Sequence, residues 1–188
     1  MVSLTSLWLP VLASAVGVFV VSFITHMVLP YHRSDVLKLS GAKEDEILEA
    51  LRRISVPPGD YAAPHAGSAA GMNDPAYIAK ATKGPLAFMT IAPGASPSMG
   101  PYLARWFVYC LVVSLLVAYV AGLVFAPAAD LMGVFRVVST VGFMAYALAL
   151  PQHSIWYRRS WATTMKSVFD GLIFGLVTGA VFAWLWPK

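Results

Sequence analysis

Asp170 opens the stretch "DGLIFGLVTG" (170–179), an acid at the head of an otherwise apolar run. Ionisable side chains at membrane depth are costly and default to a functional reading. The chain places His26, Arg105, Arg136 and Asp170 in or beside its apolar stretches. A carboxylate next to an imidazole can relay a proton or hold a ligand, and histidine also serves as an axial ligand to haem-type or chlorophyll-type pigments. The plainer alternative is a polar network that pins helices in register. With Asp170 the single carboxylate at such depth and no paired acids, the network is the favoured reading.

Other chemistries find little support. Ser22 lies one helical turn before His26, too generic a pairing for a hydrolase, and no catalytic residue is assigned. His26 and His32 are split by Pro30, and no HExxH or CxxC spacing occurs, so no metal site is expected. Gly67, Gly71, Gly94 and Gly100 are not followed by GK[ST], which leaves no phosphate loop, and neither a cofactor nor a nucleic-acid partner is expected. Cys110 is the one cysteine, so no intramolecular disulfide forms.

The elements that must position these residues follow from composition. The 188 residues are 59% hydrophobic and 12% charged, whereas a soluble domain is typically about 25% charged. Four apolar stretches reach the roughly 20 residues that a helix needs to cross a bilayer. They run over 7–29, 106–126, 131–150 and 167–186. The first lacks a preceding Lys or Arg and exceeds a signal-peptide core, so it is read as a retained span despite "ASA" at 13–15. The expected fold class is an all-α integral membrane protein. It has four transmembrane helices and a folded cytoplasmic loop (30–105) between helices 1 and 2, with a second cytoplasmic loop at 151–166.

Charge placement sets the expected orientation. Arg33, Lys38, Arg105, Arg158, Arg159 and Lys166 lie in the two longer connections, on one face of the membrane. Lys and Arg favour the cytoplasmic side, which puts both termini outside the cytoplasm, in a bacterial inner membrane. Trp8, Trp184 and Trp186 would mark the outer interface, and Tyr31, Tyr102, Trp106, Trp156, Tyr157 and Trp161 the inner one. Counting depth along the spans then gathers His26, Arg105, His153, Lys166 and Asp170 at the inner leaflet. Arg136 falls near the opposite border, where it meets Asp130 or reaches outward.

The first loop carries its own helix signals. Ile47, Leu48, Leu51 and Ile54 share a helical face, acids precede them, Arg52 and Arg53 follow, and Pro57–Pro58 stop the helix. Asp74, Pro75 and Gly84 bracket a second helix. "LAFMTI" (86–91) suits a strand or a membrane-touching segment, and the Pro/Gly-rich run 92–101 suits no regular structure. In the fourth span, Gly171, Gly175 and Gly179 form an overlapped GxxxG face made for close helix contact, within the chain or between chains.

No family motif names an activity. The leading expectation is a non-catalytic membrane subunit that packs on and stabilises a larger membrane complex, with a respiratory or photosynthetic assembly as candidate host. Its partners would be the lipid bilayer and other membrane subunits. The alternative is a small oligomeric transporter or channel using the inner-leaflet His/Asp/Arg cluster; a membrane enzyme ranks third.

Overall fold

The computed structural model describes residues 1–94 and 98–188. Four helical segments are long and apolar enough to cross a membrane: Leu4–Val28, Gly100–Val124, Leu131–Tyr157 and Trp161–Trp184. The elements in chain order are α1 (Trp8–Phe23), α2 (Gly41–Arg53), β1 (Gly59–Ala63), α3 (Pro75–Lys83), β2 (Ala87–Ile91), α4 (Gly100–Val124), α5 (Leu131–Ala147), α6 (Pro151–Tyr157) and α7 (Trp161–Trp184). They divide into two compact units, Met1–Val36 with Ser98–Lys188, and Leu37–Pro97.

The helices outrun the apolar stretches that mark them. α4 starts at Gly100, six residues before 106, with Pro101 in its first turn, where a missing N–H costs nothing. α7 starts at Trp161 rather than 167. The segment 151–166 is helical for most of its length, because Pro151 opens α6, α7 begins at Trp161, and the chain pauses only at 158–160, with Arg158 left-handed at φ 54°. Polarity ended the apolar runs, but Gln, Thr, Tyr and Trp are all compatible with a helix, so the backbone continues past them. Of the Pro/Gly-rich run, residues 95–97 lie outside the described residues, while Gly100 and Pro101 belong to α4.

In the first unit, α7 lies against α5 along its small residues. A Cβ built on Gly175 would sit 2.7 Å from the Phe143 nitrogen and 2.8 Å from the Ser139 carbonyl oxygen. Gly171 meets Ala147 and Gly179 meets Ser139 and the Phe135 carbonyl in the same way. The face therefore touches backbone, which cannot swing aside as a side chain can. Around this seam Val18, Cys110, Val117, Val134, Val138, Phe174 and Phe182 are buried, and Ser14 donates to Ser114 at 3.1 Å inside the bundle. One end is tied by Val2 N–H to the Gly122 carbonyl (3.1 Å), Ala128 N–H to the Pro187 carbonyl (2.8 Å) and Trp186 Nε1 to the Ala126 carbonyl (3.1 Å).

The second unit pairs β1 with β2 antiparallel, Tyr61 opposite Met89. Asp74 caps α3 by accepting from the Ala76 N–H at 2.9 Å, and Gly84 closes it at φ 63°. No described residue between 37 and 94 is buried.

Leucine at Gly175 would drive a side chain into the α5 backbone. The Gly175→Leu protein should lose more than the ~1–3 kcal/mol of an ordinary overpacked core. Melting in detergent and elution as one monodisperse peak read this out. Gly41→Ala, where nothing lies within 4 Å of the added carbon, should behave as wild type.

Candidate functional site

The site is built where α1 stops. A residue before proline is pushed out of the helical region, and Leu29, before Pro30, is extended at φ −76°, ψ 139°. The last turn of the helix widens to meet this end: Leu29 N–H bonds the Ile24 carbonyl, five residues back, at 3.0 Å. Ile24–Val28 form this wide π turn, a geometry that often marks functional positions. Pro30–His32 then make a tight 3-10 turn that doubles the chain back. As a result the His32 ring stacks on the His26 ring, with centroids 4.2 Å apart and planes within 9°.

Both rings face Asp170, which α7 holds 2% exposed. His32 Nε2 lies 2.7 Å from Asp170 Oδ2, and Tyr31 donates its phenol to Asp170 Oδ1. His26 Nε2 stands 3.9 Å from the same Oδ2. On its far side, His32 Nδ1 meets Asp35 Oδ2 at 2.6 Å. Lys166, one turn before Asp170 on α7, donates to Asp35 Oδ1 (2.8 Å), the Tyr31 carbonyl (2.6 Å) and Ser34 Oγ (2.9 Å). Two carboxylates, one lysine and one imidazole thus form a closed line, Lys166–Asp35–His32–Asp170. Each carboxylate in it meets a hydrogen-bonding partner, which is what burial requires.

Burial acts against ionisation of Asp35, but hydrogen bonds from His32 and Lys166, together with their charges, outweigh it and hold the carboxyl below its ordinary range. Burial, then the bond to Asp170, pushes the Tyr31 phenol up, so it stays a donor. The line clasps residues 31–35 to α7. Nearby, Trp106 Nε1 donates to Ser22 Oγ at 2.8 Å and ties α4 to α1.

Of the five residues expected to cluster, His26, Lys166 and Asp170 come together. Arg105 is exposed and lies over the Tyr102 ring at 5.9 Å, and His153 is exposed beside Tyr157 at 6.0 Å. Among the described residues neither bonds to Asp170. They share its end of the bundle but point to other faces, which depth counting cannot distinguish. The early start of α7 also places Asp170 nine residues into its helix, about 14 Å at 1.5 Å per residue, not one turn. Arg136 is exposed, while Asp130 caps α5 through the Gly133 N–H at 2.7 Å.

Tyr31, His32 and Asp35 complete the site and were not among the expected members. The signal was in "YHRSD" (31–35): a histidine and an aspartate three apart, directly after a helix-ending proline. Geometrically, His26 Nε2, His32 Nε2 and an Asp170 oxygen all lie within 4.8 Å of one another, an arrangement able to hold a cation. Ser22 Oγ donates to the Phe19 carbonyl at 2.8 Å, and the hydroxyl that lies against the His26 ring is that of Thr25, 2.9 Å from Nδ1. No protein-family model, curated protein or solved structure matches the chain.

Breaking one half of this pairing should cost more than removing both. His32→Leu strands the buried Asp170 and should destabilise by about 3–5 kcal/mol, and adding Asp170→Leu should restore a large part of that. A double-mutant cycle by detergent melting measures the coupling. The pH response has a definite sign. Because the Asp35 carboxyl is lowered in the fold, its contribution is complete above the ordinary carboxylate range, about pH 4, and is lost as pH falls through the lowered value. The melting temperature should drop on acidification below that range, and Asp35→Asn should flatten the part of the slope due to this group.

Proposed function

We propose that this chain is a non-catalytic integral membrane subunit of a larger membrane complex, in which the four-span unit anchors and the second unit docks. One observation carries the reading. The second unit has a capped helix and a paired hairpin, yet no described residue in 37–94 is buried. On α2, Ile47 is 48% exposed and Leu48 42%, and Ile54, at the helix's C-cap, is 64% exposed. Exposed apolar side chains of this kind gain from being covered by a partner. The clasp supports the same reading, since its polar groups are spent on one another and on the chain. They hold residues 31–35 to α7, directly before the second unit begins at Leu37.

Orientation follows from charge. Arg33, Arg105, Arg158, Arg159 and Lys166 all fall at the clasp end, which we assign to the cytoplasmic side of a bacterial inner membrane, with both termini opposite. The glycine face is spent on α5, which leaves α2 and the lipid-facing side chains for partners.

A second reading, a small oligomeric transporter or channel, draws on His26, half exposed beside the buried Asp170. Purification in mild detergent followed by native mass measurement separates the two. A subunit should carry the same foreign chains in fixed stoichiometry, and Ile47→Glu with Ile54→Glu should release them while the protein stays in the membrane. A bare monomer or homo-oligomer, with a pH-linked flux in liposomes that Asp170→Asn removes, would replace the subunit reading with the transporter.

A further inference from the structure

His26 stacks on the His32 ring but makes none of the clasp's hydrogen bonds, and its tautomer is set by its own turn. Thr25 spends its hydroxyl proton on the Ser22 carbonyl (3.1 Å), so its oxygen is left to accept. His26 Nδ1 lies 2.9 Å from that oxygen and 3.1 Å from the same carbonyl. Two acceptors around Nδ1 require the proton there, and the neutral ring then carries its lone pair on Nε2. Nε2 is the atom aimed at Asp170, at 3.9 Å, beyond hydrogen-bonding reach.

His32 is organised in the same way. Its Nδ1 is held by the Asp35 carboxylate at 2.6 Å, and its Nε2 faces the same Asp170 oxygen at 2.7 Å. A carboxylate or carbonyl on Nδ1 with Nε2 presented inward is the outer-shell arrangement of metal-ligating histidines. Asp170 is oriented by Tyr31 on its other oxygen. Metal–ligand bonds of about 2.0–2.1 Å place neighbouring ligand atoms roughly 2.9–3.4 Å apart in octahedral or tetrahedral geometry. The observed 2.7 and 3.9 Å straddle that range. The two rings are parallel within 9° and direct their Nε2 lone pairs in parallel planes, so the half-exposed His26 ring must turn out of the stack for both imidazoles to meet one ion.

We propose that His26, His32 and Asp170 form a binding site for one divalent first-row transition-metal ion. Two imidazoles and a carboxylate suit zinc or iron(II) rather than the oxygen-seeking magnesium or calcium. The ion takes the place of the proton shared between His32 Nε2 and Asp170 Oδ2, which leaves to solvent as the ion arrives. His26 is the exposed member, its side chain half open beside the buried Asp170. The wide turn and Pro30 separate the two histidines in sequence, and they are also what stacks them in space. The proposal is independent of the subunit reading and survives or fails without it.

The test uses the whole protein in detergent, stripped with a chelator and titrated with Zn²⁺ and with Co²⁺. One ion per chain is expected, with Co²⁺ visible absorption of a nitrogen- and oxygen-ligated site. His26→Ala should weaken binding at least tenfold while still folding in chelator, since it removes the stack on the His32 ring but no hydrogen bond of the clasp. Asp35→Asn, which touches no metal, should weaken binding by about 10–100-fold, and His65→Ala should leave it unchanged. Absence of stoichiometric binding, or equal affinity in the His26→Ala protein, would overturn the proposal. Because His26→Ala leaves the clasp's hydrogen bonds in place, a folding defect in His32 or Asp170 variants does not blunt the test.

Discussion

The structure turns on one electrostatic debt, the Asp170 carboxylate, buried a third of the way along an apolar helix. Left alone it would cost several kcal/mol. Its own helix offers Lys166, but that ammonium is occupied by Asp35, Ser34 and the Tyr31 carbonyl. Neutralisation therefore arrives from the chain that follows α1. That requires α1 to stop at one height, Pro30 to reverse the chain, and α7 to keep Asp170 turned inward. Gly171, the next residue, meets Ala147 of α5 and so sets the rotation of α7 beside the carboxylate. Helix termination, helix packing and the polar line are one solution to one charge.

The line has a second property. Each polar group in it has more than one partner, so the chain between Tyr31 and Asp35 is held by side-chain bonds to α7. A strongly polar, short segment is thereby made as determinate as a helix turn. The second unit begins just after that segment, at Leu37.

Much of the membrane architecture was legible in residue order, because a run of some 20 apolar residues has few other fates. The four spans and the Asp74 cap are of this kind, each read from local chemistry. What could not be read is rotational. Depth along a span places Arg105 and His153 at the same end as Asp170, but which way each points depends on the packing of α4, α5 and α7. Helix ends were misjudged for a related reason: "SWATTMK" and "PQHSIWY" are polar or amphipathic yet helix-compatible, so hydropathy closes a span before the backbone does. The pairing of His32 with Asp170 spans 138 residues of sequence, and only a fold can bring such a pair together.

The α5–α7 seam carries a thermal consequence. Lipid chains are as apolar as the side chains they surround, so closing glycine onto backbone hides little surface from water. Its attraction is dispersion between atoms in contact, which depends on distance and hardly on solvent ordering. The heat-capacity change that makes a water-excluded core weaken on cooling is accordingly small for this seam. In a membrane whose temperature falls, these two helices stay as tightly joined as they are when warm, while apolar contacts exposed to water around them lose strength.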